Sequence, residues 1–344
     1  MNNLNNCSKL IVRNKNLFVN KKILIFGLFD IYIYKYFNVN FLKMYTNNYN
    51  IFKKIKKHKI KIYLNSILKN EYIIRRDLII YYWPKSNVEA KFQIENLLYL
   101  IPKYSKIFFV GRNRSSIKSV VKIFQKYIYL KKIDAAKNCI LYLGIVIKTK
   151  KKFSMKNYFS NTLYNNLIIK NLPGVFSYKK IDSGTKLLLS TFYNKKANNK
   201  NYLNKTNVLD LGCGSGVIGI NLKLLFGNIK IFSIDNNATS ILITKKNFKI
   251  NFLEGNVMIS DLFSNIKKKF DLIVSNPSIH NNWKINDYMI LQIIEKSNKY
   301  LKKKGELRIV THNFKKYEKE IKKRFSQHTI LLKKKHFVIH KIIK

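Results

Sequence analysis

Short apolar runs alternate with helical patterns along the second half of the chain. Val208, Leu209 and Leu211 form a run typical of a buried parallel strand, and 217–220 resume an apolar pattern suited to a helix on a sheet. The pattern continues with strands at 229–234, 256–259, 270–275 and 306–311, helices at 238–250, 286–303 and 314–325, and a terminal pair of short strands. This alternation predicts a mostly parallel sheet.

The first half carries a similar order. The pattern predicts strands at 21–29, 60–64, 76–83, 106–113 and 139–146, and helices at 89–100 and 116–130.

Three segments of the first half resemble segments of the second. Asp77-Leu-Ile-Ile resembles Asp271-Leu-Ile-Val, and each is followed by a proline-bearing loop. The segment 106–113 resembles 306–313, and 23–26 then corresponds to 208–211. An internal duplication of one α/β domain explains this order.

The first copy differs from the second at the loop after its first strand. It has the single Gly27 where the second copy has three glycines within five residues, and it has no acidic residue before that glycine. We therefore expect a degenerate domain at 1–150, a basic linker at 151–170 and a cofactor-binding domain at 171–344.

The glycine loop of the second copy reads Asp210-Leu-Gly212-Cys-Gly214-Ser-Gly216. Its glycine spacing does not fit the dinucleotide fingerprint, and a carboxylate at Asp210 would repel pyrophosphate. A second acid, Asp235, ends the next apolar run, where a carboxylate can accept the hydroxyls of a ribose. S-adenosylmethionine, with its sulfonium, amino-acid tail and ribose, fits both acids. A nucleotide site and a plain tight turn are the alternatives.

Length and charge add two expectations. A chain of 344 residues is too long for one ordinary core, so two domains are expected. The chain has 67 Lys and Arg against 17 Asp and Glu, a formal charge of +50 that attracts RNA or DNA. Lys, Asn, Ile and Tyr are abundant throughout, as in proteins from AT-rich genomes, so composition alone is the alternative explanation of this charge.

Cysteine spacing and hydropathy indicate which kinds of site and which cellular location to expect. The three cysteines, Cys7, Cys139 and Cys213, are far apart and form no Cys-x-x-Cys, so we expect no metal site and a reducing, cytoplasmic location. The chain begins with a polar segment, and its longest apolar stretch, 23–34, contains Asp30 and is too short to span a bilayer. We expect no membrane role and a monomer.

A second motif, Ser275-Asn276-Pro277, follows the strand at 270–275. Asn-Pro is a common start of a turn. Here it ends a strand of the sheet that carries the glycine loop, so both motifs are expected at one crevice.

The two motifs together resemble class I methyltransferases with an Asn-Pro-Pro-aromatic loop, which modify exocyclic or amide nitrogens. Nearly the whole chain resembles the bacterial small-subunit rRNA methyltransferase C family. The segments that carry this resemblance are Ile80–Lys85, Asn113–Ser115, Leu172–Ser177, Asp182-x-Gly184, Leu187–Thr191, the glycine loop, Ser275–Pro277 and Gly305–Val310.

The resemblance implies two tandem Rossmann-like class I methyltransferase domains, the first degenerate and serving folding and RNA binding. It implies methyl transfer from S-adenosylmethionine to N2 of guanine 1207, in helix 34 of 16S rRNA of the small ribosomal subunit. One departure is clear: Ser278 and Ile279 replace the second proline and the aromatic residue. Stacking a base on an aromatic ring contributes about 1–3 kcal/mol. Phe176 or Trp283 could supply a ring instead.

Each candidate cofactor residue has an expected role. Asp210 and the backbone of Gly212, Gly214 and Gly216 are expected to hold the methionine part. Asp235 is expected to accept the ribose hydroxyls or to cap the helix that begins at Ala238, and Asp261 to accept from the adenine amino group or to cap a turn. By resemblance, Asp182 and Gly184 close the site around the cofactor tail.

The catalytic candidates are Asn276, Pro277 and His280. The Asn276 side-chain oxygen and the Pro277 carbonyl can accept the two hydrogens of a guanine amino group and direct its lone pair to the methyl carbon. His280 orients the base, takes the proton late or is merely solvated. A non-enzymatic RNA-binding assembly factor and a methyltransferase of another amide or adenine-N6 nitrogen are the competing functions.

Overall fold

The computed structural model describes residues 4–193, 207–277, 280–281, 284–285, 287–312 and 317–344. The chain forms two compact units, Met1–Phe159 and Ser160–Lys344. The segment 151–170, which we expected to be a linker, holds a 3₁₀ turn at Met155–Tyr158 and most of a β-hairpin that belongs to the second unit.

The first unit is built on one sheet. Its strands are β1 (Ile23–Gly27), β2 (Leu42–Thr46), β3 (Lys61–Leu64), β4 (Leu78–Tyr82), β5 (Lys106–Arg112), β6 (Ile128–Ala136) and β7 (Cys139–Val146). Its α-helices are α1 (Asn6–Arg13), α2 (Tyr49–Lys56), α3 (Asn70–Ile73), α4 (Asn87–Leu100) and α5 (Ser119–Phe124). The strand order is β3-β2-β1-β4-β5-β7-β6, with β5, β7 and β6 joined by antiparallel pairs and the others parallel.

The second unit contains a larger set of strands. They are β8 (Ser160–Tyr164), β9 (Leu167–Asn171), β10 (Asn207–Leu211), β11 (Lys230–Asp235), β12 (Asn256–Ile259), β13 (Phe270–Ser275), β14 (His280–Asn281), β15 (Lys284–Ile285), β16 (Leu301–Thr311), β17 (Gln327–Lys334) and β18 (Phe337–Ile343). Its described α-helices are α6 (Ser183–Tyr193), α7 (Val217–Phe226), α8 (Ala238–Ile250), α9 (Asp287–Tyr300) and α10 (Glu318–Arg324). The main sheet has the order β12-β11-β10-β13-β16-β18-β17, and β8–β9 and β14–β15 are separate hairpins.

The two main sheets have the same strand order. β1, β4 and β5 hold the places in the first sheet that β10, β13 and β16 hold in the second. These are the pairs of segments whose sequences resemble each other. The prediction of two tandem Rossmann-like domains from an internal duplication is therefore confirmed.

One predicted helix is wrong over most of its length. The helix expected at 116–130 is limited to α5, and β6 begins at Ile128, which pairs with Val146 of β7. Ile128, Tyr129 and Leu130 are β-branched, aromatic and apolar, and an antiparallel partner strand overrides their helical spacing. The helix expected at 286–303 ends at Tyr300, because Leu301 already pairs with Phe270 in the sheet.

Both faces of the second sheet are covered by apolar side chains. Along β10, Val208 belongs to one core cluster, whereas Leu209 and Leu211 belong to the cluster on the opposite face. Parallel strands covered on both faces direct their carboxyl ends to one open edge. β18 begins at this same edge, because it runs antiparallel to β16.

Candidate active site

The glycine loop lies at the carboxyl end of β10. Its backbone is held to β11, because the Gly212 and Cys213 amides both donate to the Ile234 carbonyl at 2.9 Å. Gly212 and Gly214 have φ values of 76° and 57°, which favour glycine. A Cβ at either position would meet no atom within 4 Å, so open space lies against the loop. Gly216 is the N-cap residue of α7.

Asp210 is fully buried beneath this loop. Its Oδ2 accepts a hydrogen bond from the Gly219 amide at 3.0 Å, whereas its Oδ1 has no partner among the described residues. Burial raises the pKa of this carboxyl to about 7. Asp210 does not line the cleft beside the loop, and its hydrogen bond holds the first turn of α7, which follows the loop.

Asp235 links the end of β11 to the glycine loop. Its Oδ2 accepts from the Gly214 amide at 2.9 Å, and its Oδ1 accepts from the Asn237 amide at 2.8 Å. Burial raises the pKa of this carboxyl, and these bonds oppose the shift. The N-cap of α8 is Asn237, whose side chain accepts from the Thr239 amide. The capping role considered for Asp235 is therefore filled by Asn237.

Asp261 lies just beyond β12, in a turn. Its backbone amide donates to Ser264 Oγ at 3.2 Å, and its carbonyl accepts from the Ser264 amide at 3.0 Å. No described residue donates a hydrogen bond to its half-buried carboxylate. The backbone of Asp261 forms the turn, and its carboxylate is left for another donor.

Asn276 follows β13 and is largely buried. Its Nδ2 donates to Asp182 Oδ2 and to Thr185 Oγ1, each at 2.8 Å. An ionised carboxylate only accepts hydrogen bonds, so the NH₂ group of Asn276 must face Asp182. No described residue donates to Asn276 Oδ1, which therefore keeps its acceptor capacity.

Asp182 and Gly184 lie at the start of α6, beside Asn276. Asp182 Oδ2 also accepts from the Thr185 amide at 3.1 Å, as an N-cap residue does. A Cβ on Gly184 would be 3.0 Å from Asp182 Oδ2, 3.1 Å from Phe337 Cε1 and 3.2 Å from Asn276 Oδ1. Glycine is thus needed here for three side chains to approach the helix.

Pro277 is buried at the end of β13. The backbone of His280 lies in β14, but its side chain falls outside the described part of the chain, as do Ser278, Ile279 and Trp283. Phe176 is 48% exposed and lines the cleft next to the glycine loop.

One cleft joins the glycine loop to Asn276. The residues that line it are Phe176, Ser177, Lys180, Ile181, Asp182, Thr185, Gly212, Cys213, Gly214, Ser215, Val217, Ile218 and Asn276. Asp182, Gly212, Gly214 and Asn276, all expected from the sequence, are thereby brought together. Within the described ranges, no group of three His, Cys, Asp or Glu side chains could hold a metal ion. No α-helix in those ranges is long and apolar enough to span a bilayer.

Two family models match the chain, one in each unit. "Methyltransferase small domain N-terminal" matches residues 8–162, and "Methyltransferase small domain" matches residues 166–341. Proteins named ribosomal RNA small subunit methyltransferase C match over most of the chain. One from Buchnera aphidicola subsp. Schizaphis graminum is 38% identical over 97% of both chains. Another, from Photorhabdus laumondii, is 32% identical over 100% of this chain and 99% of its own.

The chain belongs to the ribosomal RNA small subunit methyltransferase C family. The suspected resemblance is thereby confirmed.

A solved structure shows the same fold as this family member. It is described as the T. thermophilus 16S rRNA N2 G1207 methyltransferase in complex with AdoMet and guanosine. It superposes with a TM-score of 0.78 and 16% identity, over 94% of this chain and 88% of that one.

In this member of the methyltransferase C family, two residues of the site, Thr185 and Phe337, were not predicted from the sequence. Thr185 lies three positions after Asp182, the spacing between a helix N-cap residue and the residue whose amide it accepts from. This spacing is the one sequence signal that could have placed Thr185 beside Asp182, and hence beside Asn276. Phe337 begins a strand that is distant in sequence, and no local pattern connects it with Asn276. Only the antiparallel placement of β18 beside β16 brings it to this edge.

Proposed function

We propose that this protein transfers a methyl group from S-adenosylmethionine to N2 of guanine 1207 in 16S rRNA of the small ribosomal subunit. The observation that carries the proposal is the fixed amide of Asn276, a residue that lines one cleft together with the glycine loop. The names of the relatives and of the T. thermophilus enzyme support the substrate. We expect the protein to act in the cytoplasm as a monomer.

The residues around the glycine loop fit this cofactor. The space against Gly212 and Gly214 admits a ligand close to backbone amides. Asp235 and Asp261 provide carboxylates for the ribose hydroxyls and the adenine amino group. Asp210 lies beneath the loop and holds the first turn of α7 through the Gly219 amide. The bound cofactor supplies a methyl group activated by its sulfonium.

Asn276 acts on the target amino group. The lone pair of a guanine amino nitrogen is delocalised into the ring, which makes it a poor nucleophile. Asn276 Oδ1 and the Pro277 carbonyl each accept one of its hydrogens, which favours a tetrahedral nitrogen and directs its lone pair at the methyl carbon. Positioning supplies most of the acceleration, so no strong base is required before transfer. His280 is then available to receive the proton.

Asp182 and Thr185 hold Asn276 in this orientation. If the amide rotated by half a turn, its NH₂ group would face the target and could not accept a hydrogen. The carboxylate of Asp182 prevents that rotation, because two oxygens facing each other would repel. We therefore infer that Asp182 positions Asn276 while its helix closes the cleft beside the cofactor tail.

The first unit is proposed to aid folding and to bind RNA. Its β1 ends at Gly27, where a Cβ would be 2.3 Å from the Tyr82 carbonyl oxygen, so the strand end is packed against β4. No acid precedes that glycine. Neither feature favours cofactor binding in this unit.

A non-enzymatic assembly factor is the second candidate, favoured by Ser278 and Ile279 in place of the proline and aromatic residue of the family loop. The deciding measurement is mass mapping of methylated guanines in 16S rRNA from cells lacking the protein. We expect the loss of one N2-methylguanine, at position 1207. An unchanged methylation map would favour the assembly factor.

The purified protein offers a matched test of the catalytic residue. Asn276→Ala should lower tritiated methyl transfer to unmodified small subunits by about 10²–10³-fold, because one preorganised polar group is lost. The dissociation constant for S-adenosylmethionine should stay near the wild-type value. Asn161→Ala, in an exposed position of β8, serves as the control. Equal rates for Asn276→Ala and the control would refute the role of this loop.

A further inference from the structure

Three aromatic rings lie together at the edge of the second sheet. The ring centroids are 4.9 Å apart for His312 and Phe337, 4.3 Å for His336 and Phe337, and 4.7 Å for His312 and His336. His312 Nδ1 also lies 3.2 Å from the His336 carbonyl oxygen, within hydrogen-bond distance. We refer to His312, His336 and Phe337 as the aromatic cluster.

The topology of the sheet brings this cluster to the catalytic edge. Thr311, at the carboxyl end of β16, pairs with Val338 in the antiparallel strand β18. His312 comes directly after Thr311 and Phe337 directly before Val338, so these two residues lie next to each other. The sequence places them far apart, and only the antiparallel pairing joins them. The start of β18 therefore lies at the same edge of the sheet as the loop that follows β13, with β16 between them.

Phe337 lies close to the acceptor oxygen of Asn276. Phe337 Cε1 and Asn276 Oδ1 are 3.1 Å and 3.2 Å from the same point, the position that a Cβ on Gly184 would occupy. Because both atoms are this close to one point, the distance from Phe337 Cε1 to Asn276 Oδ1 is at most the sum of those two distances. A base whose amino group is hydrogen-bonded to Asn276 Oδ1 lies within reach of the Phe337 ring.

The exposure of Phe337 leaves it able to bind a ligand. The ring packs against the apolar cluster beneath the sheet, but it is only half-buried. His336 and the preceding Lys333, Lys334 and Lys335 are exposed. A ring that is anchored on one side and neighboured by lysines suits a nucleotide, whose base stacks and whose phosphates attract cations.

The sequence of the catalytic loop increases the need for such a ring. Ile279 stands where the resembling family has an aromatic residue. A base taken out of the RNA stack loses its neighbours, and active sites compensate by stacking it on aromatic or apolar side chains. Phe176, the other aromatic candidate among the described residues, lines the same cleft as Asn276, Lys180 and the glycine loop.

We propose that Phe337, supported by His312 and His336, is the surface on which the target guanine stacks while Asn276 accepts a hydrogen from its amino group. This inference rests on the proposed function and adds a base-binding subsite to it. The three lysines before the cluster then contact the phosphates beside the extruded nucleotide.

The test compares Phe337→Leu, Phe337→Tyr and a control, Phe252→Leu, in the full-length protein. Leucine retains apolar volume for the core but lacks a ring face, whereas tyrosine keeps the face. Phe252 is 96% exposed and belongs to a loop after α8. Methyl transfer to unmodified small subunits should show kcat/KM lower by about 5- to 150-fold for Phe337→Leu, the value of one base–aromatic stack. Phe337→Tyr should have a higher kcat/KM than Phe337→Leu, because it keeps the ring face, and the control Phe252→Leu should retain the wild-type value.

A second readout reports stacking directly. An RNA fragment with 2-aminopurine at the target position retains the amino group at position 2 and fluoresces more strongly when unstacked. The complex with Phe337→Leu should be brighter than the complexes with the wild type and Phe337→Tyr. The dissociation constant for S-adenosylmethionine should be the same for all variants.

Three results would overturn the subsite. They are equal kcat/KM for Phe337→Leu and the wild type, equal brightness of their 2-aminopurine complexes, or weakened cofactor binding with an unchanged KM for the subunit. The last would assign the ring to the cofactor. A wild-type protein that transfers no methyl group to the subunit would instead refute the proposed function, while the brightness comparison would still test stacking.

Discussion

The hydrogen bonds around Asn276 use all the donors of its amide. Asp182 and Thr185 each take one N–H, and a carboxylate cannot exchange roles with the amide because it has no proton to donate. The side chain is thus held before substrate arrives. Preorganisation of this kind is what lets a single polar group contribute to a transition state.

Thr185→Val tests this preorganisation at the scale of one atom. The substitution keeps the shape of the side chain but removes the acceptor for Asn276 Nδ2. We expect the rate of methyl transfer in a single turnover to fall by about 2- to 10-fold, the value of one neutral hydrogen bond. Thr185→Ser retains the hydroxyl and should react at the wild-type rate. Equal rates for Thr185→Val and Thr185→Ser would show that Asp182 alone orients the amide.

Asp210 gives the second unit a pH-dependent stability. Burial raises its pKa in the folded protein to about 7, from a usual value of 3.8. As pH rises, the Asp210 carboxyl therefore ionises in the unfolded chain at a lower pH than in the folded protein. The free energy of unfolding consequently decreases as pH rises from about 4 to 7. The loss is at most about 1.4 kcal/mol per pH unit for one such group. It is complete once the pH exceeds the folded pKa.

Asp210→Asn should remove this dependence. Urea unfolding of the cofactor-free protein between pH 4 and 8 should show the wild type losing stability relative to Asp210→Asn up to pH 7, with a constant difference above it. Parallel curves over the whole range would mean that the buried carboxyl has an ordinary pKa.

At the scale of elements, the site depends on close contacts between the start of α6, the residue after β13 and the start of β18. Gly184 brings this helix close to Asn276 after β13 and to Phe337 at the start of β18. A methyl group there would sit 3.1–3.2 Å from atoms of both residues, which is tighter than an ordinary carbon contact. The three elements cannot all keep their positions once that methyl group is added.

Gly184→Ala should therefore impair catalysis more than folding. We expect the rate of methyl transfer to fall by roughly tenfold or more, because a displacement of about 1 Å can cost about 10²-fold. Thermal stability should change little, since alanine favours a helix relative to glycine by about 0.5–1 kcal/mol. Ser190→Ala, on the exposed face of the same helix, is the control. A wild-type rate for Gly184→Ala would show that the contact has room to relax.

The elements also show how far the sequence could predict the site. The run at Val208–Leu211 and the strand that ends at Ser275 were predicted correctly, because buried parallel strands are continuous apolar runs bounded by turn residues. The contact between Asn276 and Thr185 spans 91 positions, and no local pattern encodes it. β6 was missed because its first residues, 128–130, were assigned to the preceding helix and no element was predicted at 131–136; only pairing with β7 defines the strand.

At the scale of the whole molecule, positive charge is shared by both units. The first, Met1–Phe159, has 33 Lys and Arg against 6 acidic residues, and the second has 34 against 11. A charge spread this evenly fits either an RNA-binding surface that extends over both units or a uniform bias in composition. Binding measurements at several salt concentrations distinguish these explanations.

Removal of the first unit should weaken RNA binding and flatten its dependence on salt. Each phosphate contact that is lost lowers the slope of log K against log salt by about 0.7–0.9. The comparison uses the full chain and the fragment Ser160–Lys344 on the same 16S rRNA fragment. An identical slope for the two proteins would mean that the charge of the first unit is compositional and contacts no RNA.

The shared strand order of the two sheets carries a risk during synthesis. Two sheets with the same arrangement could exchange strands and form a misassembled chain. All strands of the first sheet lie between Ile23 and Val146, whereas β10, the first strand of the second main sheet in chain order, begins only at Asn207. At about 5–20 residues per second, the ribosome needs several seconds to translate the intervening segment. The first sheet can therefore form before the corresponding strands of the second sheet have been synthesised. The order of translation thus reduces strand exchange between the two duplicated domains.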